Sequence, residues 1–416
     1  MQFVVKSKIF FVKLRKYGIP LLTSVFDSTF FHLKIPLGNR SKFKPLADKK
    51  TIVYLGEYTW PRISRIAKRV KKDFNISPVL ICSAAGFKKE FISDSYDHII
   101  VFRNKWHLRR ILEELKQVYL IHSYGMINEY PALAVLHYKG KVIYDAQDVW
   151  CCYYGLDTNL RWLKKDMAYE RINFTQSKGI VAQSPEPIIG RKLYNKKIPS
   201  IFFPIYCDDD VFVDSSDKKM TDDDIHLVYA GGIADSSRDP AQYGNIQFHW
   251  LIEKLGKQKI HFHIYPSPAT IKAEFDEYKK IAEKNSYFHF HDPISLDKLS
   301  KELTKYHFGL LPFFSGRNRQ SENKYKYATA FKLFNYIEAG IPVITSENLF
   351  FQSWIVKRYQ CGIAIKESDV DNMRDVFARN SYSDLIKQLV QGREKLSLKK
   401  QIPRLMKFYE NIVAGY

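Results

Sequence analysis

The chain has 416 residues, of which 45% are hydrophobic and 26% are charged, and its formal net charge is +21. This composition is globular rather than disordered, and the length exceeds one ordinary domain, so we expect two domains. No apolar run approaches the roughly 20 residues that a membrane-spanning helix needs.

The first 50 residues are expected to form a basic extension that packs on or near the first domain. Lysines and arginines interrupt the apolar residues of Met1–Tyr17, and no small-residue cleavage site follows, so we do not expect a secretory signal. The five cysteines are odd in number and lack C-x-x-C spacing, which argues against disulfides and a zinc ribbon. These features favour a cytoplasmic protein.

Basic residues crowd into the first part of the chain, where residues 1–110 contain 23 Lys and Arg against 7 Asp and Glu. Such crowding indicates a surface that faces an anionic partner, and an anionic membrane surface is the partner that we expect. No nucleic acid is expected, because no basic stripe carries ordered aromatic residues. The expected membrane- or acceptor-facing cations are Arg62, Arg65, Arg69 and Lys72.

Alternating strands and helices begin near residue 51. The segment Thr51–Leu55 predicts a buried strand that ends at Gly56, and the apolar spacing over Arg62–Lys72 predicts an amphipathic helix. We expect a parallel sheet with helices on both faces, forming a first domain over residues 51–205. Its other predicted elements are strands at Pro78–Cys82, His98–Phe102, Val118–His122, Lys141–Asp145 and Gly179–Gln183 and a helix at Trp106–Gln117.

Residues 206–224 contain two runs of three aspartates with serine and lysine, which predicts an acidic linker.

A second series of alternating strands and helices predicts a domain over residues 225–395, followed by a C-terminal helix over residues 396–416 that is expected to return to the first domain. The fold class is therefore α/β, with two tandem Rossmann-like doubly wound domains and a cleft between them. The predicted strands are Ile225–Ala230, Lys259–Tyr265, Tyr287–His291, His307–Pro312 and Pro342–Ser346, with helices at Ile246–Leu255, Ile271–Asn285, Leu296–Tyr306 and Phe331–Ala339.

Two segments of the second domain suit a diphosphate. The first predicted strand runs into Gly231 and Gly232, where the backbone can approach a phosphate closely, and Arg238 follows as a cation. Such turns also occur for conformational reasons alone. On the predicted helix before Gly340, Lys332 and Asn335 share one face, with the lysine in the first turn. An ordinary amphipathic helix with a solvated polar face would show the same pattern.

The run from Lys332 to Ile344 resembles the donor-binding helix of GT-B glycosyltransferases of the group 1, or family-four, type, commonly written K-L-F-E-Y-x-x-A-G-x-P-V-I. Asn335 stands where that family has the glutamate that holds the ribose, so donor affinity or identity is expected to differ. Shorter stretches follow the family order at Pro204–Phe212, Phe290–Pro293 and Gly309–Pro312. The donor-binding residues that the resemblance implies are Gly231, Gly232, Arg238, Lys332, Leu333, Asn335 and Glu338.

Retaining members of this family often carry a histidine and an aspartate after the fourth or fifth strand of the first domain. Here Tyr144–Asp148 occupies that place, and Gln147 replaces the histidine; it can hydrogen-bond a sugar hydroxyl but cannot act as a base. The candidate catalytic residues are Asp148, Gln147 and Glu57. For Glu57, a carboxylate at a helix N-terminus is an equally good interpretation.

The resemblance implies transfer of a sugar from a nucleotide-sugar donor to a lipid-linked or surface-polysaccharide acceptor, at the cytoplasmic face of the membrane. No cofactor and no metal are expected: the run Asp208–Asp210 lies in a linker, and strand alternation explains the His261/His263 and His289/His291 pairs. A sugar-nucleotide epimerase of the same fold is the alternative, and a basic nucleic-acid-binding protein ranks last.

Overall fold

A computed structural model describes residues 50–89, 93–213, 224–268, 270, 272–317 and 322–415. Nearly all of the expected basic extension and most of the expected acidic linker lie outside these residues. Elements are numbered from the first one described.

The first sheet has seven parallel strands in the order β3-β2-β1-β4-β5-β6-β7, and the order reverses between β1 and β4. Its strands are β1 (Thr51–Tyr58), β2 (Ser77–Gly86), β3 (His98–Phe102), β4 (Leu120–Gly125), β5 (Val142–Ala146), β6 (Gly179–Ala182) and β7 (Ser200–Phe202). The accompanying helices are α1 (Pro61–Phe74), α2 (Lys105–Glu114), α3 (Glu129–His137), α4 (Trp150–Tyr154), α5 (Arg161–Gln176) and α6 (Glu186–Leu193).

The second sheet has six parallel strands in the order β10-β9-β8-β11-β12-β13, and it reverses between β8 and β11. Its strands are β8 (His226–Gly231), β9 (His261–Pro266), β10 (Phe288–Phe290), β11 (Phe308–Leu311), β12 (Val343–Ser346) and β13 (Gly362–Ile365). The helices are α7 (Pro240–Tyr243), α8 (His249–Lys257), α9 (Phe275–Lys284), α10 (Leu296–Leu303), α11 (Glu322–Tyr327), α12 (Phe331–Glu338), α13 (Phe350–Tyr359), α14 (Met373–Ala378), α15 (Tyr382–Lys395) and α16 (Leu398–Ala414).

The predicted fold class is confirmed, and every strand predicted in the two series is present within a few residues. The strands β7 and β13 are absent from the prediction. No described helix is long and apolar enough to cross a membrane. The domain boundaries stay predictions.

One apolar core continues from the first sheet into the second domain. Ile52 of β1, Ile205 at the junction, Val228 of β8 and Leu333 of α12 belong to the same cluster of buried side chains. Helix α16 joins this core: the Tyr409 hydroxyl lies 2.6 Å from His122 Nδ1 on β4.

Helix α1 places three arginines on one face, and all three are largely buried. Arg62 and Arg69 are 2% and 3% exposed, and the side chain of Arg65 is 16% exposed. Arg62 pairs with Asp145 on β5 and donates to the carbonyl of Phe203 at 2.7 Å. A buried guanidinium requires such partners because its desolvation is costly.

The other two arginines of α1 reach beyond the first sheet. Arg65 Nη2 donates to Glu338 Oε2 at the end of α12, 3.1 Å away. Arg69 Nη2 lies 3.2 Å from Asp210 Oδ1 and 3.7 Å from Asp208 Oδ1 at the domain junction. Helix α1 therefore ties the first sheet, the junction and the second domain together.

These contacts correct the expectation that Arg62, Arg65 and Arg69 face a membrane. Their charges are turned inward and matched by carboxylates, so they cannot contribute to a surface potential. Of the four predicted cations, only Lys72 has an exposed side chain, and its Nζ lies 3.5 Å from Asp210 Oδ1.

We expect Arg65→Ala to lower the free energy of unfolding by about 3–5 kcal/mol, because it leaves the Glu338 carboxylate buried without its counter-charge. Urea denaturation followed by circular dichroism measures this change. The control is Arg110→Ala, which removes an exposed i,i+4 ion pair with Glu114 and should leave the midpoint unchanged. Equal effects of the two substitutions would contradict a structural role for the Arg65 pair.

Six histidines form a cluster on the second sheet, on or directly next to strands β8, β9, β10 and β11. His226 Nδ1 lies 2.9 Å from His263 Nε2, and His263 Nδ1 lies 3.0 Å from His291 Nε2. A second pair joins His261 Nδ1 to His289 Nε2 at 2.8 Å. Among the described residues, no group of histidines, cysteines or carboxylates is arranged to hold a metal ion. His307, the sixth histidine of the cluster, stacks its ring on that of His226.

Acid should destabilise the fold through this cluster. Burial, followed by the charge of neighbouring imidazoles, lowers the pKa of His289 to about 4, below the value of about 6.5 in an unfolded chain. As the pH falls from about 6.5 to 4, the unfolded chain binds a proton that folded His289 does not, so stability decreases. His289→Gln should therefore lose less stability than the wild type between pH 7.5 and 5 in urea titrations. His137→Gln, outside the cluster, should behave like the wild type; an unaltered slope in the His289 variant would refute this account.

Candidate active site

The carboxyl edge of the second sheet contains the predicted diphosphate site. Strand β8 ends at Gly231, next to the point where the strand order reverses, and helix α12 begins at this edge with Phe331 and Lys332. Ligands of open parallel sheets bind at such reversal points, beyond the carboxyl ends of the strands. The structure therefore brings Gly231, Gly232 and Lys332 together, although about 100 residues separate them along the chain.

Lys332 is a cation without a counter-charge. Its Nζ lies 5.5 Å from the ring centroid of Tyr229 and 5.7 Å from that of Phe313. No carboxylate pairs with it in the described part of the chain. Removal from water lowers the pKa of Lys332 to about 8, so the ammonium form still dominates at neutral pH. An anion placed beside this ammonium would be stabilised strongly.

The surroundings of Lys332 add further donors and leave room for an anion. Ala330 precedes α12 and provides no side-chain cap, so the amides of Phe331 and Lys332 remain available, whereas the amide of Leu333 donates to the Ala330 carbonyl at 3.2 Å. A β-carbon on Gly231 would lie 1.9 Å from Lys332 Cε, whereas one on Gly232 would meet nothing within 4 Å. The glycine at 231 is thus what allows the lysine to lie against the end of β8.

A further residue of α12, Asn335, fits a nucleotide site. Asn335 is 6% exposed, and its side-chain amide has no hydrogen-bond partner among the described residues. Tyr336 receives the amide hydrogen of Ala230 at 3.1 Å and donates to the carbonyl of Leu310 at 3.3 Å. Tyr336 is fully buried, so these hydrogen bonds join α12 to β8 and β11 within the core.

Three predicted donor contacts have other partners in the structure. Leu333 is fully buried in the core, and Glu338 is fully buried with Arg65 and the amide of Asp208, which lies 2.8 Å from Glu338 Oε1. The donor contacts expected for Leu333 and Glu338 therefore stay predictions, with the first side chain packed in the core and the second paired with Arg65. The Nε atom of Arg238 lies 3.0 Å from Glu274 Oε1, so a carboxylate within the protein already balances the charge of this arginine.

The candidate residues of the first domain follow β5. Gln147 is 6% exposed; its Oε1 accepts from the hydroxyl of Tyr58, and its buried Nε2 has no hydrogen-bond partner. Asp148 is half-buried and accepts from the Tyr153 hydroxyl at 3.3 Å. Glu57 is half-buried at the end of β1, beside Tyr58. These side chains lie along the carboxyl edge of the first sheet.

Glu186, at the start of α6, is a further candidate that the sequence did not single out. It is 1% exposed, and burial followed by the charge of Asp148 raises the pKa of Glu186 to about 8. A neutral carboxylic acid can donate a hydrogen bond, which a carboxylate cannot. The only sequence signal was its place at the end of strand β6, in the run from Gln183 to Glu186.

The second domain closes over this part of the first domain. Asn323 of α11 donates to the carbonyl of Cys152 in α4 at 2.7 Å, and Lys324 Nζ lies 5.9 Å from the ring centroid of Tyr153. The segment that carries Asp148 is therefore covered by the helix that precedes α12.

Comparisons with known proteins match either the second domain alone or the whole fold. Residues 244–402 match the family model described as "Glucosyltransferase 3-like, C-terminal domain", and this range includes the whole of α12. No curated protein sequence matches the chain significantly.

Solved structures share the complete architecture at low identity. Sucrose-phosphate synthase from Thermosynechococcus elongatus superposes with a TM-score of 0.61 at 11% identity, covering 88% of this chain and 100% of that one. A UDP-glucosyltransferase from Polygonum tinctorium gives 0.52 at 10% identity, with 87% and 99% covered. MnaA of S. aureus, solved with UDP, gives 0.52 at 10% identity, with 87% and 97% covered. At these identities the likeness establishes the fold.

The two glycines allow a matched test of the anion site. Gly231→Ala should fold, because the closest clash, at 1.9 Å, is with the flexible end of Lys332 and the Tyr229 hydroxyl lies further away, at 2.9 Å. The substitution should displace the Lys332 ammonium and weaken UDP binding about tenfold, as expected for the loss of a charge-assisted hydrogen bond. Gly232→Ala should bind UDP like the wild type. Isothermal titration with UDP measures both, and equal affinities for the two variants would exclude this geometry.

Proposed function

We propose that this chain, a glycosyltransferase of the GT-B type, moves a sugar from a nucleoside diphosphate sugar to a glycan or lipid-linked acceptor at the cytoplasmic face of a membrane. The observation that carries the donor assignment is Lys332, an ammonium that has no carboxylate partner in the described part of the chain and lies beside Gly231 and the N-terminus of α12. A diphosphate supplies the missing negative charge.

The same groups would assist the reaction. When the bond between the sugar and the diphosphate breaks, negative charge develops on the leaving phosphate oxygen. Lys332 and the first amides of α12 are already oriented towards that position, so they stabilise the transition state without reorganisation. Asn335, one turn further along α12, is placed to hydrogen-bond a ribose hydroxyl with its unpaired amide.

The carboxyl edge of the first domain suits the sugar and the acceptor. The unpaired Nε2 of Gln147 can bind a sugar hydroxyl, and Glu186 in its neutral form can donate to another. Among the charged groups around Glu186, Asp148 raises the pKa of Glu186 most. Asp148 is our candidate for contact with the attacking hydroxyl, and Glu57 is the second carboxylate of this edge.

UDP is the nucleotide that we propose first. One structure with the same fold was solved with UDP, and another is a UDP-glucosyltransferase. Asn335 stands where the family that this run resembles has a glutamate, so an amide without negative charge would hold the ribose. The choice of nucleotide is therefore left to experiment.

A thermal-shift screen with UDP-, GDP-, CMP- and dTDP-sugars tests the donor site. We expect one nucleotide class to raise the melting temperature, and Lys332→Ala to weaken its affinity roughly tenfold to a hundredfold through loss of the charge. Lys326→Ala removes an exposed lysine paired with Glu322 on α11 and should retain the full shift. A full shift in the Lys332 variant would remove this residue from the site.

Product analysis separates the proposed transfer from epimerisation. A transferase needs an acceptor to produce a new glycoside, whereas an epimerase forms a new sugar nucleotide from the donor alone. Conversion of the donor to a different sugar nucleotide without acceptor would therefore contradict the proposed function.

A further inference from the structure

Helix α13 presents an aromatic face to solvent. Phe350 is 61% exposed and Trp354, one turn later, is 44% exposed. The exposed residues of the next turn are Lys357 and Arg358. The opposite side of the helix, including Ile355 and Val356, is buried, so the exposed aromatics are not a consequence of loose packing.

The aromatic face is ordered by its own contacts. The ring of Trp354 stacks on Phe351, with centroids 6.0 Å apart and an interplanar angle of 14°. Phe351 in turn packs edge-on against Phe202 of β7 at 5.9 Å. Little side-chain entropy remains to be lost when a partner covers Trp354. Adjacent large exposed apolar side chains of this kind mark interaction surfaces.

The position of this face relates it to the donor site. Strand β12 ends at Ser346, so α13 begins at the same carboxyl edge of the sheet as Gly231 and the first turn of α12. Gln352 Nε2 also donates to the carbonyl of Ala328, just before α12, at 3.4 Å. Phe350 therefore lies at the end of α13 that is nearer the cleft.

We propose that the outer face of α13 docks on an anionic membrane surface and presents the cleft to lipid-linked acceptors, an inference that rests on the proposed function. Phe and Trp on one helix face, with cations one turn away, are suited to the boundary between acyl chains and headgroups. Anionic headgroups also attract cations near the surface.

The charge around α13 favours lipid over a second copy of the chain. Lys357 and Arg358 are the exposed cations of α13, and Arg404 donates to the carbonyl of Phe202, against which Phe351 of α13 packs, at 3.4 Å. Glu347 is the carboxylate paired here, 3.2 Å from Lys357 Nζ. A net positive face repels an identical face but is neutralised by acidic headgroups.

Vesicle cosedimentation tests the docking face. Wild-type protein should partition onto phosphatidylcholine vesicles that contain phosphatidylglycerol more strongly than onto phosphatidylcholine alone. The double variant Phe350→Ser/Trp354→Ser should lower the partition constant roughly tenfold or more, because it removes the inserted apolar area. Arg358→Ala should lower it about fivefold, and only on the anionic vesicles.

The control is Trp106→Ser, which removes a tryptophan that is 58% exposed on α2 of the first domain and should bind as the wild type does. Circular dichroism and the UDP thermal shift of each variant show whether the fold and the donor site are intact. A retained UDP shift with reduced vesicle binding supports the docking face.

Two results would overturn the inference: no binding of the wild type to anionic vesicles, or equal vesicle binding of the double variant. If light scattering shows that the wild type self-associates and that a double variant with unchanged vesicle binding does not, the face is instead an interface between copies of the chain. Failure of the proposed function would give a different result. No nucleotide would then raise the melting temperature of the wild type, while vesicle binding would still depend on Phe350 and Trp354.

Discussion

The structure depends on the burial of three guanidinium groups along one side of α1. A buried arginine is tolerated only when a carboxylate and further acceptors replace its hydration shell. Arg62, Arg65 and Arg69 obtain these partners from β5, from α12 and from the domain junction. Because each partner belongs to a different part of the molecule, the requirement to neutralise one helix holds the two domains in a defined relation.

Arg65 connects this clamp to the candidate donor site. Its guanidinium carbon lies 4.7 Å from the ring centroid of Phe331, at the start of α12, while its nitrogens bind Glu338 at the end of the same helix. The helix is thus held along its length from the first domain. Lys332, in the first turn, is the contrasting case, since it has no carboxylate partner among the described residues.

Much of the site was predictable because it is local. The run from Lys332 to Gly340 contains the helix, its first-turn cation and its left-handed terminating glycine, whose φ is 70°. The burial of Leu333 and the pairing of Glu338 with Arg65 could not be predicted from the same run, since the depth of the core and the position of Arg65 are properties of distant segments. Glu186 also depends on a distant group, because its pKa responds to Asp148 as well as to burial.

The sequence by itself determined the α/β class, the two strand series and the candidate diphosphate helix, because periodicity and turn residues act over a few neighbouring positions. Only the tertiary structure decided which charged side chains are buried and which groups they pair with. The arginines of α1 are as cationic in the sequence as any surface residue, yet they turn inward where acidic groups meet them. The exposed aromatics of α13 look like core residues in the sequence, and they remain outside because their helix face has no neighbour within the described chain.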